Sequence, residues 1–511
     1  MTLRPMIQNY PGIACVLLAV GGWLAPAMAA PPPRSPAGPV SEPGQGCPRG
    51  AVLLAVGSTL QARVDVAPPG TSFCIQAGTH RMQAIKPKDE QRFYGEPGAI
   101  LNGSKLIQDF AREGKYWVAT GQKQRGVRSA TDECPPEWPR CSYPDAFFID
   151  DRPLIHVDSK AKVKTGTYHF DYAGQKIYFV DNPTGKKVEA SVTPYAFDGS
   201  TSKRVLVQGL IVEKYAPQMQ VGAIGFGGPS YGWVVRDNEV RLNYALGISV
   251  GTKAHVVGNR VHNNGQMGVG CFGEDILFEN NEIFSNGYFS KVDTFWEGGG
   301  AKCAKTNRLI VRSNHLYDNN GFGFWTDIDN INTLYEGNLV EGNRNGGLSH
   351  EISYAAVIRN NVLRGNGTGP HTWLWGGAIQ IQNSQNVEVY GNIVDMTHGG
   401  NGICLIQQNR GDGEYGPYKT INNHVYRNLV FSRTPDQGVS GALADDDHKG
   451  MLAGNNRFVD NVYFVPRLTD QHWAWVDDFY DWQGYQRRSG QDSTSVVRRI
   501  ASGAETGPQR P

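Results

Sequence analysis

The sequence predicts an all-β fold, a right-handed parallel β-helix, from two residue patterns that recur together and from the lack of any window with sustained helical periodicity. The first pattern is a glycine that begins a short strand-like segment. Successive copies lie 21 to 39 residues apart, the length that one turn of a wide coil requires. The nine glycines are Gly222, Gly247, Gly268, Gly300, Gly323, Gly347, Gly377, Gly402 and Gly441.

The second pattern is an asparagine with an apolar residue two places further on. In the first seven repeats it follows the glycine after 12 to 16 residues, so the two patterns keep a mutual register. Asparagine tolerates left-handed backbone, and its side-chain amide can hydrogen-bond along a stack of strands. One repeat cannot bury a face alone, so the stacked repeats must make the core. The asparagines are Asn238, Asn259, Asn281, Asn314, Asn338, Asn361, Asn392, Asn428 and Asn461.

Alternate residues of each segment are expected to face opposite sides of the sheet. The position after the glycine is apolar in all nine segments and is predicted to face inward, as is the third position. This places Cys271 and Cys303 inside on adjacent turns, as packed thiols or as a bridge. His350 and Gln380 occupy the same inward column, where a hydrogen-bonded structural histidine is expected slightly more often than a catalytic one.

The second and fourth positions are predicted to face outward, and three successive segments carry unusual residues there: Lys302, Trp325, Asp327 and Glu351. Neighbouring strands of a parallel sheet lie about 4.8 Å apart, so these side chains are expected to form one patch. The residues expected at its edges are Glu297, Lys305, Asp329 and His350.

The composition of this patch is typical of a glycan site. Aromatic rings cover the apolar faces of sugars, and paired carboxyl groups break glycosidic bonds. The candidate catalytic residues are Asp327, Glu351, Asp329, Lys302 and His350, and the candidate substrate-binding residues are Trp325, Glu297, Trp296, Gln380 and Gln382. The alternative is a set of solvated surface charges paired with lysines.

The remaining chain divides by composition. We predict a signal peptide over residues 1–30, a disordered leader over 31–46 and the start of the β-helix over 47–114. A β-rich insertion with alternating aromatic and polar residues is predicted over 115–194, and the β-helix core over 195–466. An aromatic cap is predicted over 467–486 and a flexible tail over 487–511.

The signal peptide predicts a secreted or periplasmic protein, and no later stretch is apolar for long enough to span a membrane. In that compartment Cys47 with Cys74 and Cys134 with Cys141 are candidate disulfides. The net charge of +1, without a basic run, argues against nucleic acid as a partner. A monomer is expected.

The glycine and asparagine patterns resemble those of right-handed β-helix proteins of the pectin-lyase-like superfamily, over roughly residues 50 to 480. That resemblance implies activity on carbohydrates but points to no particular enzyme family. Insertions like residues 115–194 also occur in β-helix glycoside hydrolases, which favours hydrolysis.

Three functions are therefore open. The favoured one is a secreted enzyme that cleaves glycosidic bonds of a polysaccharide or oligosaccharide as a glycoside hydrolase, without a cofactor. The second is a Ca²⁺-dependent lyase acting on a uronate-containing glycan, with Lys302 as the base and Ca²⁺ held by Asp327 and Glu351. The third is a non-catalytic glycan-binding surface protein.

Overall fold

The computed structural model describes residues 46–129, 134–434 and 437–500. The predicted signal peptide and nearly all of the predicted leader lie outside these residues. Over the described residues the prediction of a right-handed parallel β-helix is confirmed, with three long parallel sheets along the coil. No described helix is long and apolar enough to cross a membrane.

The first and second sheets each contain thirteen strands. The first consists of Val52–Leu54, Ser72–Ile75, Arg92–Gly95, Leu206–Gln208, Val234–Arg236, His255–Val257, Leu277–Glu279, Ile310–Arg312, Thr333–Glu336, Ala356–Arg359, Val387–Tyr390, His424–Tyr426 and Arg457–Val459. The second consists of Gly78–Arg81, Ala99–Asn102, Ile211–Glu213, Glu239–Arg241, Arg260–His262, Glu282–Phe284, His315–Tyr317, Leu339–Glu341, Val362–Arg364, Ile393–Asp395, Leu429–Phe431, Val462–Val465 and Val496–Arg499.

The third sheet contains eleven strands and includes most of the glycine-led segments. It consists of Gly222–Ile224, Leu246–Val250, Met267–Glu274, Gly299–Asn307, Phe322–Asp327, Gly346–Glu351, Ile379–Gln382, Ile403–Gln407, Ser440–Ala444, Trp473–Val476 and Asp478–Tyr480. Only the last of these strands runs antiparallel to its neighbour. The described α-helices are short: Leu60–Val66, Thr294–Glu297, His448–Ala453 and Trp482–Ser489.

The recurring asparagines stack along the coil as predicted. The amide of Asn238 donates to Asn259 Oδ1 at 3.0 Å, and Asn259 donates to Asn281 at the same distance. The stack continues through each later asparagine to Asn461. A second stack, which the sequence analysis missed, lies five residues further along each turn and starts at Asn243. Both stacks satisfy backbone groups at the corners, where water is excluded.

The core of the coil is apolar, as predicted. Of the two alternatives for Cys271 and Cys303, packed thiols or a bridge, the structure shows the bridge, a disulfide between adjacent turns. The prediction that the side chain of Gln380 faces inward is wrong. Its strand is in register with the preceding one so that Leu348 pairs with Ile379 and Ser349 pairs with Gln380. The glycine that aligns with Gly377 is therefore Gly346, not Gly347, and Gln380 faces outward.

The insertion forms a separate, mostly antiparallel sheet of eight strands with its own aromatic core. It begins at Ser104, earlier than predicted, and its strands in spatial order are Ser104–Leu106, Val188–Ser191, Phe147–Ile149, Arg152–His156, Thr167–Asp171, Lys176–Phe179, Tyr116–Ala119 and Ala111–Glu113. Two further disulfides join Cys47 to Cys74 and Cys134 to Cys141, the two pairs considered from the sequence.

The predicted flexible tail is wrong for residues 487–500. The helix Trp482–Ser489 crosses the predicted boundary, and Val496–Arg499 adds a parallel strand beside Val462–Val465. The cause is Asp492, whose buried carboxylate accepts hydrogen bonds from Tyr463, Tyr485 and Asn461 and so holds this segment on the coil. Residues 501–511 lie outside the described residues.

Candidate active site on the outer face of the third sheet

The candidate site consists of outward-facing side chains that the pairing of four adjacent strands of the third sheet brings together. Lys302 pairs with Trp325, and Trp325 pairs with Ser349. Two residues further along the strands, Asp327 pairs directly with Glu351. All of these side chains share the outward face, so the structure brings the predicted patch together.

Lys302 is held on all sides by acceptors. Its Nζ atom lies 2.8 Å from Asp327 Oδ2, 3.3 Å from Glu297 Oε1 and 2.7 Å from the carbonyl oxygen of Trp296. It also lies 3.8 Å from the centroid of the Trp325 ring, a cation–π contact. Burial acts to lower the pKa of Lys302, but the charges of Glu297 and Asp327 outweigh it, so the pKa is raised. Lys302 is therefore a fixed ammonium group and a poor base.

Glu351 is a buried carboxyl group of this site with a raised pKa. Burial raises the pKa of Glu351 to about 7, helped by the neighbouring charge of Asp327 and opposed by Arg410 and Lys302. Arg410 donates to Glu351 Oε1 at 2.5 Å. Burial also raises the pKa of Glu297. Near neutral pH, Glu351 therefore exists in both protonation states.

Arg410 reaches Glu351 from a hairpin that comprises Asp412–Gly413 and Gly416–Pro417. Asp329 anchors this hairpin, because its Oδ1 atom accepts hydrogen bonds from the Glu414 backbone at 2.8 Å and from the Tyr418 hydroxyl at 2.7 Å. The prediction of Asp329 as a catalytic residue is therefore corrected. Asp329 positions the hairpin that carries Arg410.

The prediction of His350 as a catalytic residue is wrong as well. Its ring is fully buried inside the coil, with Nδ1 2.7 Å from the Thr326 hydroxyl and Nε2 2.6 Å from the Tyr354 carbonyl oxygen. Burial lowers the pKa of His350 to about 4. The ring is thus a neutral structural group that faces away from the site.

The site opens into a cleft with a volume of about 380 Å³. Trp325, Glu351, Gln380 and Gln382 lie along its floor, and residues from four segments of the chain form its walls: Phe295, Phe322, Arg344, Asn345, Pro370, His371, Thr372, Trp375 and Gly376. Lys302 and Glu297 line a smaller recess of about 20 Å³. Trp296, a predicted substrate-binding residue, packs instead against residues of the insertion, and it contributes its carbonyl oxygen to Lys302.

Four polar atoms at the site are buried and have no hydrogen-bond partner among the described residues: Trp325 Nε1, Asp327 Oδ1, Ser349 Oγ and Gln380 Oε1. They come from three successive strands of one face. Buried polar groups are almost always paired, because an unpaired group costs about 1–3 kcal/mol. Their concentration distinguishes this face of the third sheet as one whose buried polar groups are incompletely paired.

Residues 222–394 match the family model described as right handed beta helix region. Comparison with the sequences of curated proteins finds no match. Among solved structures, the complex of XylC with xylose is similar at 14% sequence identity and a TM-score of 0.62, covering 86% of this chain and 82% of that one. The A-module of the Azotobacter vinelandii mannuronan C-5 epimerase AlgE6 is similar at 14% identity and a TM-score of 0.50, covering 88% of this chain and 94% of that one. These similarities show the fold, and the chain is a right-handed parallel β-helix protein.

Proposed function

We propose that this protein is a secreted carbohydrate-active enzyme that cleaves glycosidic bonds as a glycoside hydrolase, with Asp327 and Glu351 as its catalytic residues. The observation that carries this proposal is the direct pairing of the two residues on adjacent strands. Their surroundings differ, because Asp327 contacts the Lys302 ammonium group, whereas burial raises the pKa of Glu351 to about 7. Two carboxyl groups in different surroundings are what glycoside hydrolysis needs.

The spacing of the strands favours a reaction with retention. Paired residues on adjacent parallel strands are about 4.8 Å apart, close to the separation of about 5 Å between the carboxyl groups of retaining enzymes. In the first step the Asp327 carboxylate bonds to the anomeric carbon as the glycosidic bond breaks, and Glu351 gives its proton to the departing oxygen. In the second step Glu351 takes a proton from water, which attacks the anomeric carbon and releases Asp327.

The named ligands and activities of the similar structures support a carbohydrate as the substrate. The XylC structure contains xylose, and the AlgE6 module is named as an epimerase of mannuronan. The aromatic and amide side chains that line the present cleft, Trp325, Trp375, Gln380 and Gln382, suit a ring with hydroxyl groups. The three disulfides of the described residues suit the oxidising compartment that the predicted signal peptide implies.

The residues do not fit the Ca²⁺-dependent lyase considered from the sequence. Asp327 and Glu351, its predicted ligands, already lie 2.8 Å and 2.5 Å from the cationic groups of Lys302 and Arg410. A divalent cation there would be repelled by both. Lys302, its predicted base, is a poor proton acceptor because the pKa of Lys302 is raised.

A glycan panel tests the proposal. The purified protein is incubated with neutral and acidic polysaccharides, with and without a chelator, while new reducing ends and the ultraviolet band of an unsaturated uronate are recorded. We expect new reducing ends without the ultraviolet band, unaffected by chelator and lost in E351Q. The matched control is E336Q, which alters a glutamate paired with Arg359 in the first sheet. An ultraviolet band would show a lyase, and binding without new reducing ends would show a glycan-binding protein.

A further inference from the structure

One arginine in the central part of the coil has no carboxylate partner, unlike the arginines near it in the sequence. The described residues between positions 204 and 410 include ten arginines, and nine of them have a carboxylate oxygen within 4.0 Å. Arg344 is the exception among these ten described arginines. It is exposed and lines the cleft of the candidate site.

Local contacts fix the backbone of Arg344. The backbone N–H of Gly369 donates to the Arg344 carbonyl oxygen at 2.9 Å. A Cβ atom at position 369 would lie 2.8 Å from Arg344 Cγ, so glycine at this position lets the stem of the Arg344 side chain pass close to the backbone. His371 is held on the same segment, with Nδ1 2.8 Å from the Gly369 carbonyl oxygen.

None of the residues that line the cleft supplies a free carboxylate to pair with the positive charge of Arg344. Glu351 is the carboxylate among the lining residues, and Arg410 already pairs with it. Lys291 adds a further positive charge near Arg344, since burial and the Arg344 charge together lower the pKa of Lys291. A guanidinium group held in a cleft without a carboxylate partner suits an oxyanion of the ligand.

We propose that the cleft binds a glycan with an anionic substituent, a carboxylate or a sulfate ester, and that Arg344 is the specificity-determining residue that binds it. This inference rests on the proposed function of the same site. The sugar ring lies against Trp325 and Trp375, its hydroxyl groups face Gln380 and Gln382, and the anionic group reaches Arg344.

A pair of matched probes tests this inference by calorimetric binding. The probes are an oligosaccharide that carries glucuronic acid and the same oligosaccharide after reduction of its carboxyl groups to alcohols, and a sulfated oligosaccharide is a third probe. We expect an anionic probe to bind at least about tenfold more tightly than the reduced one. R344A should remove this difference without weakening binding of the reduced probe, and added salt should diminish the difference. R359A, which removes an equal charge far from the cleft, should change nothing.

Equal binding of the acidic, sulfated and reduced probes to the unaltered protein would overturn the inference, and so would equal losses for all probes in R344A. Free glucuronate or inorganic sulfate that binds as tightly as the oligosaccharides would show a simple anion site and would also overturn it. Binding of neutral glycans alone, with hydrolysis intact, would contradict the role of Arg344 and leave the proposed function standing. Failure to bind every glycan of the panel would overturn both.

Discussion

Two buried lysines on the wall of the coil are each surrounded by carboxylates, and they differ in how completely those carboxylates are paired. Lys214, where the insertion meets the coil, contacts Glu189 and Asp151. Arg81 and Ser104 also donate to Glu189 at 2.8 and 3.1 Å, and Lys187 pairs with Asp151 at 2.7 Å. Lys302 faces Asp327 and Glu297, but Asp327 Oδ1 has no partner among the described residues.

The protonation of the two clusters differs accordingly. Burial acts to raise the pKa of Glu189, but Lys214 and Arg81 outweigh it and the pKa is lowered. Burial raises the pKa of Glu351 to about 7, and the cations near it do not reverse the effect. A fully paired buried carboxylate stabilises a junction, whereas an incompletely paired one beside a cleft is available for proton transfer. The same residue types thus serve structure in one region and chemistry in the other.

The largest effect is expected from the incompletely paired cluster. E351Q and D327N should each reduce kcat by at least about 10²-fold, because each removes a group that transfers a proton or bonds to the substrate. At low pH the melting temperature of E351Q should stay nearly unchanged, since the amide has almost the same shape as the protonated carboxyl group. D327N removes a carboxylate from the buried ammonium group of Lys302 and should lower the melting temperature. Kinetics on the glycan identified by the panel, together with thermal unfolding, measure both quantities. Unchanged turnover in both variants would refute the assignment of these residues.

The fully paired cluster should show the opposite behaviour. K214M leaves the buried charge of Glu189 with less compensation, and we expect a loss of about 3–5 kcal/mol in the free energy of unfolding. Activity per folded molecule should be retained. The control is K187M, because Lys187 contacts the same carboxylates from a partly exposed position and should cost about 0–1 kcal/mol. Denaturant unfolding of both variants measures the difference, and equal losses would contradict the comparison.

The sequence predicts the coil well because its signals are periodic. Apolar positions such as Val269, Phe324 and Leu348 recur behind each glycine, and stacking requires those positions to be inside. The single-residue error at Gln380 arose because Gly377 lies one residue before the column of the preceding glycines, so that Ile379, and not Ala378, aligns with Leu348. Only the hydrogen-bonded register of neighbouring strands reveals such a shift.

The site is predictable to the extent that it lies in those periodic columns. Lys302, Trp325, Asp327 and Glu351 were found this way. Arg344 and Arg410 were missed because they lie on turns of variable length, which no period relates to the strands. The true roles of His350 and Asp329 depend on the Tyr354 carbonyl oxygen and on the hairpin around Glu414, contacts that sequence spacing does not encode.

The smallest expected effect is a shift in the pH dependence of kcat/KM. It measures how strongly the charge of Arg410 lowers the pKa of Glu351. With Glu351 as the general acid and its pKa at about 7, kcat/KM should fall as the pH rises above about 7. Arg410 lowers the pKa of Glu351, so R410A should move this decline to higher pH, and R410K should partly restore it.

Stability gives an independent measure of the same ionisation. Because the pKa of Glu351 in the folded protein is raised above its ordinary value of 4.5, its stabilising contribution is fully present below about pH 4.5 and is lost as the pH rises through about 7. The melting temperature of E351Q relative to the unaltered protein should therefore increase across this range. In the R410A background the increase should extend to higher pH, since the charge that opposes protonation of Glu351 is gone. The same pH dependence in both backgrounds would show that Arg410 does not control the protonation of Glu351. A difference in melting temperature that does not change with pH would show that the pKa of Glu351 is not raised.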